Sequence, residues 1–129
     1  MSTDDLWPSF EDIPKVTSPR TILAQQAEFL AQKTKNLLTG SISQGSTNNG
    51  KIFIAFFIVA PLIKNYSYRL LTIYHDVFYY PSELKFNDGM RSISNEEDLR
   101  ETLKEIFNQE STKRIITSLL GQSKELDKS

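Results

Sequence analysis

The sequence predicts an α+β fold: an antiparallel β-meander of three to four strands, with an N-terminal helix and two C-terminal helices packed on one face. Three observations carry this. Residues 19–39 place apolar side chains at three- and four-residue steps, residues 40–86 switch to β-favouring runs separated by turns, and residues 94–121 return to the helical period. Strands grouped together, with helices grouped at either end, make α+β rather than an alternating α/β chain. At 129 residues the chain has the length of one domain, which typically runs to roughly 100–200 residues. It is long enough to bury a core without metal or disulfide. The organisation expected is an extended arm over 1–17, a single domain over 18–121 and a flexible tail over 122–129.

The arm carries Asp4, Asp5, Glu11 and Asp12, two prolines (Pro8, Pro14) and two isolated aromatics, Trp7 and Phe10. Leaving an indole in water forfeits on the order of a few kcal/mol, so Trp7 is expected to dock on its own domain or on a partner. Ser18-Pro19 then opens a helix, because the serine oxygen accepts from a free amide and proline suits the first helical position. Leu23, Ala27, Leu30, Thr34, Leu37 and Leu38 share one face, and Gly40 fits a helix-ending glycine, which places the helix at about 19 to 39.

Ser41–Gly45 pairs with Lys51–Ala60 across a loop ending Asn49-Gly50. Along the second strand Ile52, Ile54, Phe56 and Ile58 face one way, and Phe53, Ala55, Phe57 and Val59 the other. Both faces are apolar, which marks a central strand covered on both sides by the fold, or on one side by a partner. Tyr66–His75 is the third strand and Val77–Phe86 a fourth, which Pro81 confines to an edge; Asn87-Asp88-Gly89 makes another turn. Ser94 and Glu97 form a capping box for a helix whose apolar face is Leu99, Leu103, Ile106 and Phe107. Ser111 caps a last helix bearing Ile115, Ile116, Leu119 and Leu120, stopped by Gly121. All helices are assigned to one face of the sheet, so few elements are left for the other.

Composition removes several chemistries. There is no cysteine, hence no disulfide, thiol nucleophile or cysteine-ligated metal, and His75 is the one histidine. Sixteen acidic residues nearly cancel fifteen basic ones, so no overall charge points to a polyanionic partner. The acidic start broken by Pro8 does not read as a secretory signal, and the longest apolar run, Ile52–Ile63, falls short of the roughly 20 residues a spanning helix needs. A soluble, cytoplasmic protein with no membrane contact is expected.

Gly45–Lys51 has the spacing of a phosphate-binding loop. Such a loop opens a helix and follows its lysine with Ser or Thr, whereas here Ile52 and a strand follow, so a hairpin loop is the better account. His75 lies beside Asp76, with Glu83 nearby in sequence, but strand neighbours point to opposite faces and no metal-ligand spacing accompanies them. No catalytic, cofactor-binding or metal-binding residue is assigned. An enzyme using His75 as acid or base stays open as an alternative.

Charge is uneven. Residues 15–80 hold seven bases against two acids, together with all five tyrosines. Lys33, Lys35, Lys51, Lys64 and Arg69 with those tyrosines make a second alternative, single-stranded nucleic-acid binding by stacking and phosphate contact. The helix–three strands–helix order over about 19–109 is similar in topology to the double-stranded-RNA-binding domain. That family grips phosphate with lysines at the start of its last helix, where this chain has Glu96, Glu97 and Asp98, which repel phosphate. The family is therefore not assigned.

The favoured reading is a small non-catalytic protein–protein interaction module of inhibitor, immunity-type or accessory character. It uses no cofactor and binds another protein or itself through an aromatic sheet face or edge. The partner-binding residues expected are Trp7, Tyr68, Tyr79 and Tyr80, since amphipathic aromatics dominate such contacts.

Overall fold

The computed structural model describes residues 4–11 and 16–127; the sequence expectations for Asp12, Pro14 and the last two residues of the tail lie outside these. The order is α1 (Pro19–Lys33), β1 (Thr39–Ser46), β2 (Ile52–Ala60), β3 (Tyr66–His75), β4 (Ser82–Phe86), β5 (Gly89–Ile93), α2 (Glu96–Phe107) and α3 (Glu110–Asp127). The strands form one antiparallel meander in sequence order. The fold is α+β as expected, with five strands in place of three to four.

In an antiparallel pair, residues directly opposite project to the same side. The row Ile42, Phe56, Leu71, Phe86 therefore lies on one side of the sheet, and the row Ser43, Ala55, Thr72, Lys85 on the other. The first side is the one the helices cover. Its core joins Ile54, Phe56, Ile58 and Ile73 to Ile22 and Leu23 of α1, Leu99 and Leu103 of α2, and Leu119 of α3. Each such fully buried side chain contributes about 1.5–3 kcal/mol relative to exposure. A bulge between Phe56 and Phe57 leaves Leu70 of β3 unpaired.

Several boundaries differ from the sequence reading; Ser111, expected to cap the last helix, lies inside α3, and β1 is longer than Ser41–Gly45. Helix α1 ends at Lys33, not near residue 39. The Thr34 hydroxyl donates to the Leu30 carbonyl at 2.9 Å and accepts from the Leu38 amide at 3.1 Å, and Lys35 and Asn36 adopt positive φ. That side-chain alternative to the helical ladder turns the chain and drops Leu38 fully into the core. Gly40 is then a strand residue, not a helix-ending one. A Cβ there would stand 2.5 Å from Ala27 Cβ, so glycine is what lets α1 lie directly on β1.

The fourth strand begins at Ser82, and residues 76–81 are a loop. Pro81 sits just before the strand, where its missing amide removes no ladder bond. Strand β5, which follows the Asn87-Asp88 turn, then makes β4 an inner strand; the edges are β1 and β5. The cap of α2 is shifted by one residue from the expected box: Asn95 accepts from the Asp98 amide at 2.8 Å, and Asp98 accepts from the Ser94 amide at 2.9 Å. Finally, α3 runs through Gly121 to Asp127, so residues 122–127 are helix where a loose tail was expected. Buried Leu119 and Ser123 on either side hold Gly121 in helical conformation. Among the described residues no helix is long and apolar enough to cross a membrane.

The two glycines separate packing from propensity. Gly40→Ala should lower unfolding free energy by roughly 1–3 kcal/mol through overpacking. Gly121→Ala, with open space around the new Cβ, should raise it by about 0.5–1 kcal/mol. Urea unfolding of both variants beside the parent chain reads these signs directly.

Candidate protein interface

The side of the sheet away from the helices is built from alternate residues of the same strands. Strand β2 supplies Phe53, Ala55, Phe57 and Val59, and β3 supplies Thr72 and Tyr74, with Arg69 opposite Phe57. Strand β1 adds Ser41, Ser43 and Gly45, and β4 adds Glu83 and Lys85. None of the described helices lies over this side, and its apolar groups run in a continuous stripe along β2. Ala55 and Thr72 are nonetheless buried, at 2% and 3% exposure. Ala55 lies between Phe53 and Phe57 on that face, and Thr72 neighbours Tyr74. Phe53, Phe57, Val59 and Tyr74 themselves are half-buried.

Two features shape the stripe. The Phe53 ring lies over Gly45, where a Cβ would come within 2.7 Å of two ring atoms. The Arg69 guanidinium sits 5.7 Å from the centre of the Phe57 ring, a cation–π distance. At the β2 start the rim is polar, with Lys51 Nζ 3.3 Å from Glu83 Oε1 and both side chains well exposed. An exposed pair of this kind contributes about 0–1 kcal/mol, so it marks the rim without fixing it.

A second apolar surface sits on the loop over residues 76–81. Val77 and Phe78 are 82% and 71% exposed. Asp76 Oδ1 accepts from the Phe78 amide at 3.1 Å, and Tyr79 packs edge-on against His75 at 5.6 Å between ring centroids. These contacts hold the loop's base while its tip faces solvent.

The four residues expected to bind a partner do not converge. Trp7 is 76% exposed, with Phe10 at 6.4 Å as its ring neighbour. It is not seated on its own domain, which corrects that half of the docking expectation. Tyr68 stands opposite Ile58, on the helix-covered side, packed against the core. Tyr79 lies beside His75, seven residues further along β3 and so roughly 23 Å from Tyr68. Tyr80 is packed against the core, and its hydroxyl donates over 3.5 Å to the Thr17 carbonyl. Burial pushes its phenol up to about 12, reinforced by Glu96 and opposed by Arg100. Tyr80 therefore sits between the starts of α1 and α2 as a structural tie. Sequence reasoning passed over Phe53, Phe57 and Tyr74 as site residues. The signal for them was the second apolar face of β2, set against a supply of helices sufficient for one side.

The basic residues are dispersed. Lys51 and Lys64 flank the nine-residue β2 at opposite ends, roughly 30 Å apart, and Lys33 closes α1. His75 is buried, and its Nδ1 donates to the Asp76 carbonyl at 2.7 Å. Asp76 Oδ1 is engaged by the Phe78 amide and Glu83 by Lys51, and the hydrogen bond of His75 goes to a backbone carbonyl, not to either carboxylate. No group of three metal-ligating side chains occurs among the described residues. No protein-family model, curated protein or solved structure matches the chain.

The Tyr80 environment has a measurable sign. Its folded pKa, about 12, lies above the usual tyrosine value of 10.0, so the stabilising contribution is complete below pH 10 and is lost as pH rises towards 12. Ultraviolet titration should show one tyrosine ionising later than the others. Tyr80→Phe should remove that late step and flatten the stability loss over the same interval.

Proposed function

We propose that this chain is a non-catalytic protein–protein interaction module that associates with a second copy of itself through the open face of its sheet. The observation that carries the reading is the apolar stripe of Phe53, Ala55, Phe57 and Val59 on a side no described element covers. An antiparallel sheet with one solvated face ordinarily alternates apolar with polar residues; β2 does not.

Size and shape favour a second copy. Strands β1 to β4, of 8, 9, 10 and 5 residues, at a rise of about 3.3 Å per residue and about 4.8 Å apart, give a contact face of roughly 500 Å². Two copies would bury about 1,000 Å², the size at which a specific interface begins. The face is low along β1, where Ser41, Ser43 and Gly45 project, and tall along β4, where Glu83 and Lys85 project. A two-fold axis parallel to the strands, between β2 and β3, sets the low margin of one copy against the tall margin of the other and stacks β2 on β3. The faces then pack about 10 Å apart, as sheets in a sandwich do. A chain net charge of −1 sets up little repulsion between copies.

Phe57→Glu places two carboxylates in that apolar contact. It should weaken self-association by about a hundredfold or more, giving a monomer by light scattering with unchanged far-UV circular dichroism. Val77→Asp/Phe78→Asp, in the loop, should leave the dimer intact. A dimer that survives Phe57→Glu but is lost in the loop variant would transfer the interface to residues 76–81.

A further inference from the structure

Helices α1 and α2 start close together, on either side of Tyr80, but pack on different parts of the sheet. Ala27 holds α1 against Gly40 of β1, while α2 leans towards β5, where Arg91 pairs with Glu105 at 2.7 Å. Between them a groove of about 390 Å³ runs along the helix-covered side, remote from the open face. Its floor is Phe56, Ile58 and the bulged Leu70. Phe29, half exposed on α1, and Phe107 of α2 stand on its two walls.

The charge of this groove is one-sided. Lys33, Arg100 and Lys104 line it, and no carboxylate does. Arg100 is held by Glu96 at 3.0 Å, whereas Lys33 and Lys104 make no ion pair with a described residue. Both lysines lie in the last turns of their helices, where a cation offsets the helix dipole. That role is served from any side of the helix, yet both residues line the groove. The volume falls in the range of small-molecule sites, about 300–1,000 Å³, with an apolar floor and a few polar groups at the margin.

We infer that this groove binds a single-chain amphiphile with an anionic head, of the fatty-carboxylate class. The hydrocarbon chain lies over Phe56, Ile58 and Leu70 between the two phenylalanines, and the head group meets Lys33 and Lys104. This site is separate from the proposed dimer face, and either can fail without the other.

The test is titration of the full chain with dodecanoate below its micelle concentration, followed by calorimetry and by backbone amide shifts. Dodecyltrimethylammonium, with the same chain and the opposite charge, is the control. The expected result is saturable one-to-one binding of dodecanoate, with shifts centred on residues 26–33 and 100–108 and no comparable binding of the cation. Lys33→Glu/Lys104→Glu, with its fold checked by circular dichroism, should weaken dodecanoate by about tenfold or more, while Phe57→Glu should not. Equal binding of both amphiphiles, an unaffected charge-reversed variant, or shifts centred on Phe57 and Tyr74 would each overturn the assignment.

Discussion

Strand β2 is apolar on both sides while helices lie on one, and the rest of the molecule is organised by that imbalance. On the covered side Ile54, Phe56 and Ile58 anchor all three helices. On the other side Phe53, Phe57 and Val59 are left to their strand neighbours. Burial of apolar surface is worth about 25 cal/mol per Å². Covering this stripe therefore stabilises whatever assembly accomplishes it. A sheet face of this composition is harder to explain as a solvated surface than as half of a contact.

The close seat of α1 on β1 sets the geometry of both surfaces. Gly40 lets Ala27 approach the strand backbone, which fixes α1 over the β1 side of the sheet. The chain after β5 carries α2 on the opposite flank, and α3 completes the layer with Leu119. Because α1 and α2 are anchored at different strands, their layer is complete over the core yet leaves a groove above Phe56 and Ile58. The same layer places all three described helices on one side and leaves the other open among the described residues. Groove and open face are two consequences of one arrangement, on opposite sides of one strand.

Much of the fold was legible in the sequence, because periodicity and caps are local signals. Ser18-Pro19 opens α1 as read, its hydroxyl accepting from the Thr21 amide, and the two faces of β2 follow from simple alternation. The misread boundaries depend on contacts the sequence does not display. Thr34 looked like part of a helical stripe, but its hydroxyl ends the helix by bonding Leu38. Gly40 looked like a terminator, but its role is steric and depends on Ala27, thirteen residues earlier. Strand β5 escaped notice because Ile93 is its one buried residue, so it shows little periodicity. Gly121 did not stop α3, since buried residues on both sides outweigh a glycine cost of about 1 kcal/mol. The candidate surface was half visible: the apolar face of β2 could be read, but which aromatics share it needs the register with β3. Without the register, residue type alone points to tyrosines, and Tyr68 and Tyr80 are packed against the core.

The most direct test of whether a second copy covers β2 is an isotope-filtered nuclear Overhauser experiment on a mixture of labelled and unlabelled chains. The account predicts intermolecular cross-peaks linking the rings of Phe53, Phe57 and Tyr74 to the same face of a second copy. Contacts confined to Val77, Phe78 or Trp7, or no intermolecular contacts at concentrations where the chain stays well folded, would contradict it.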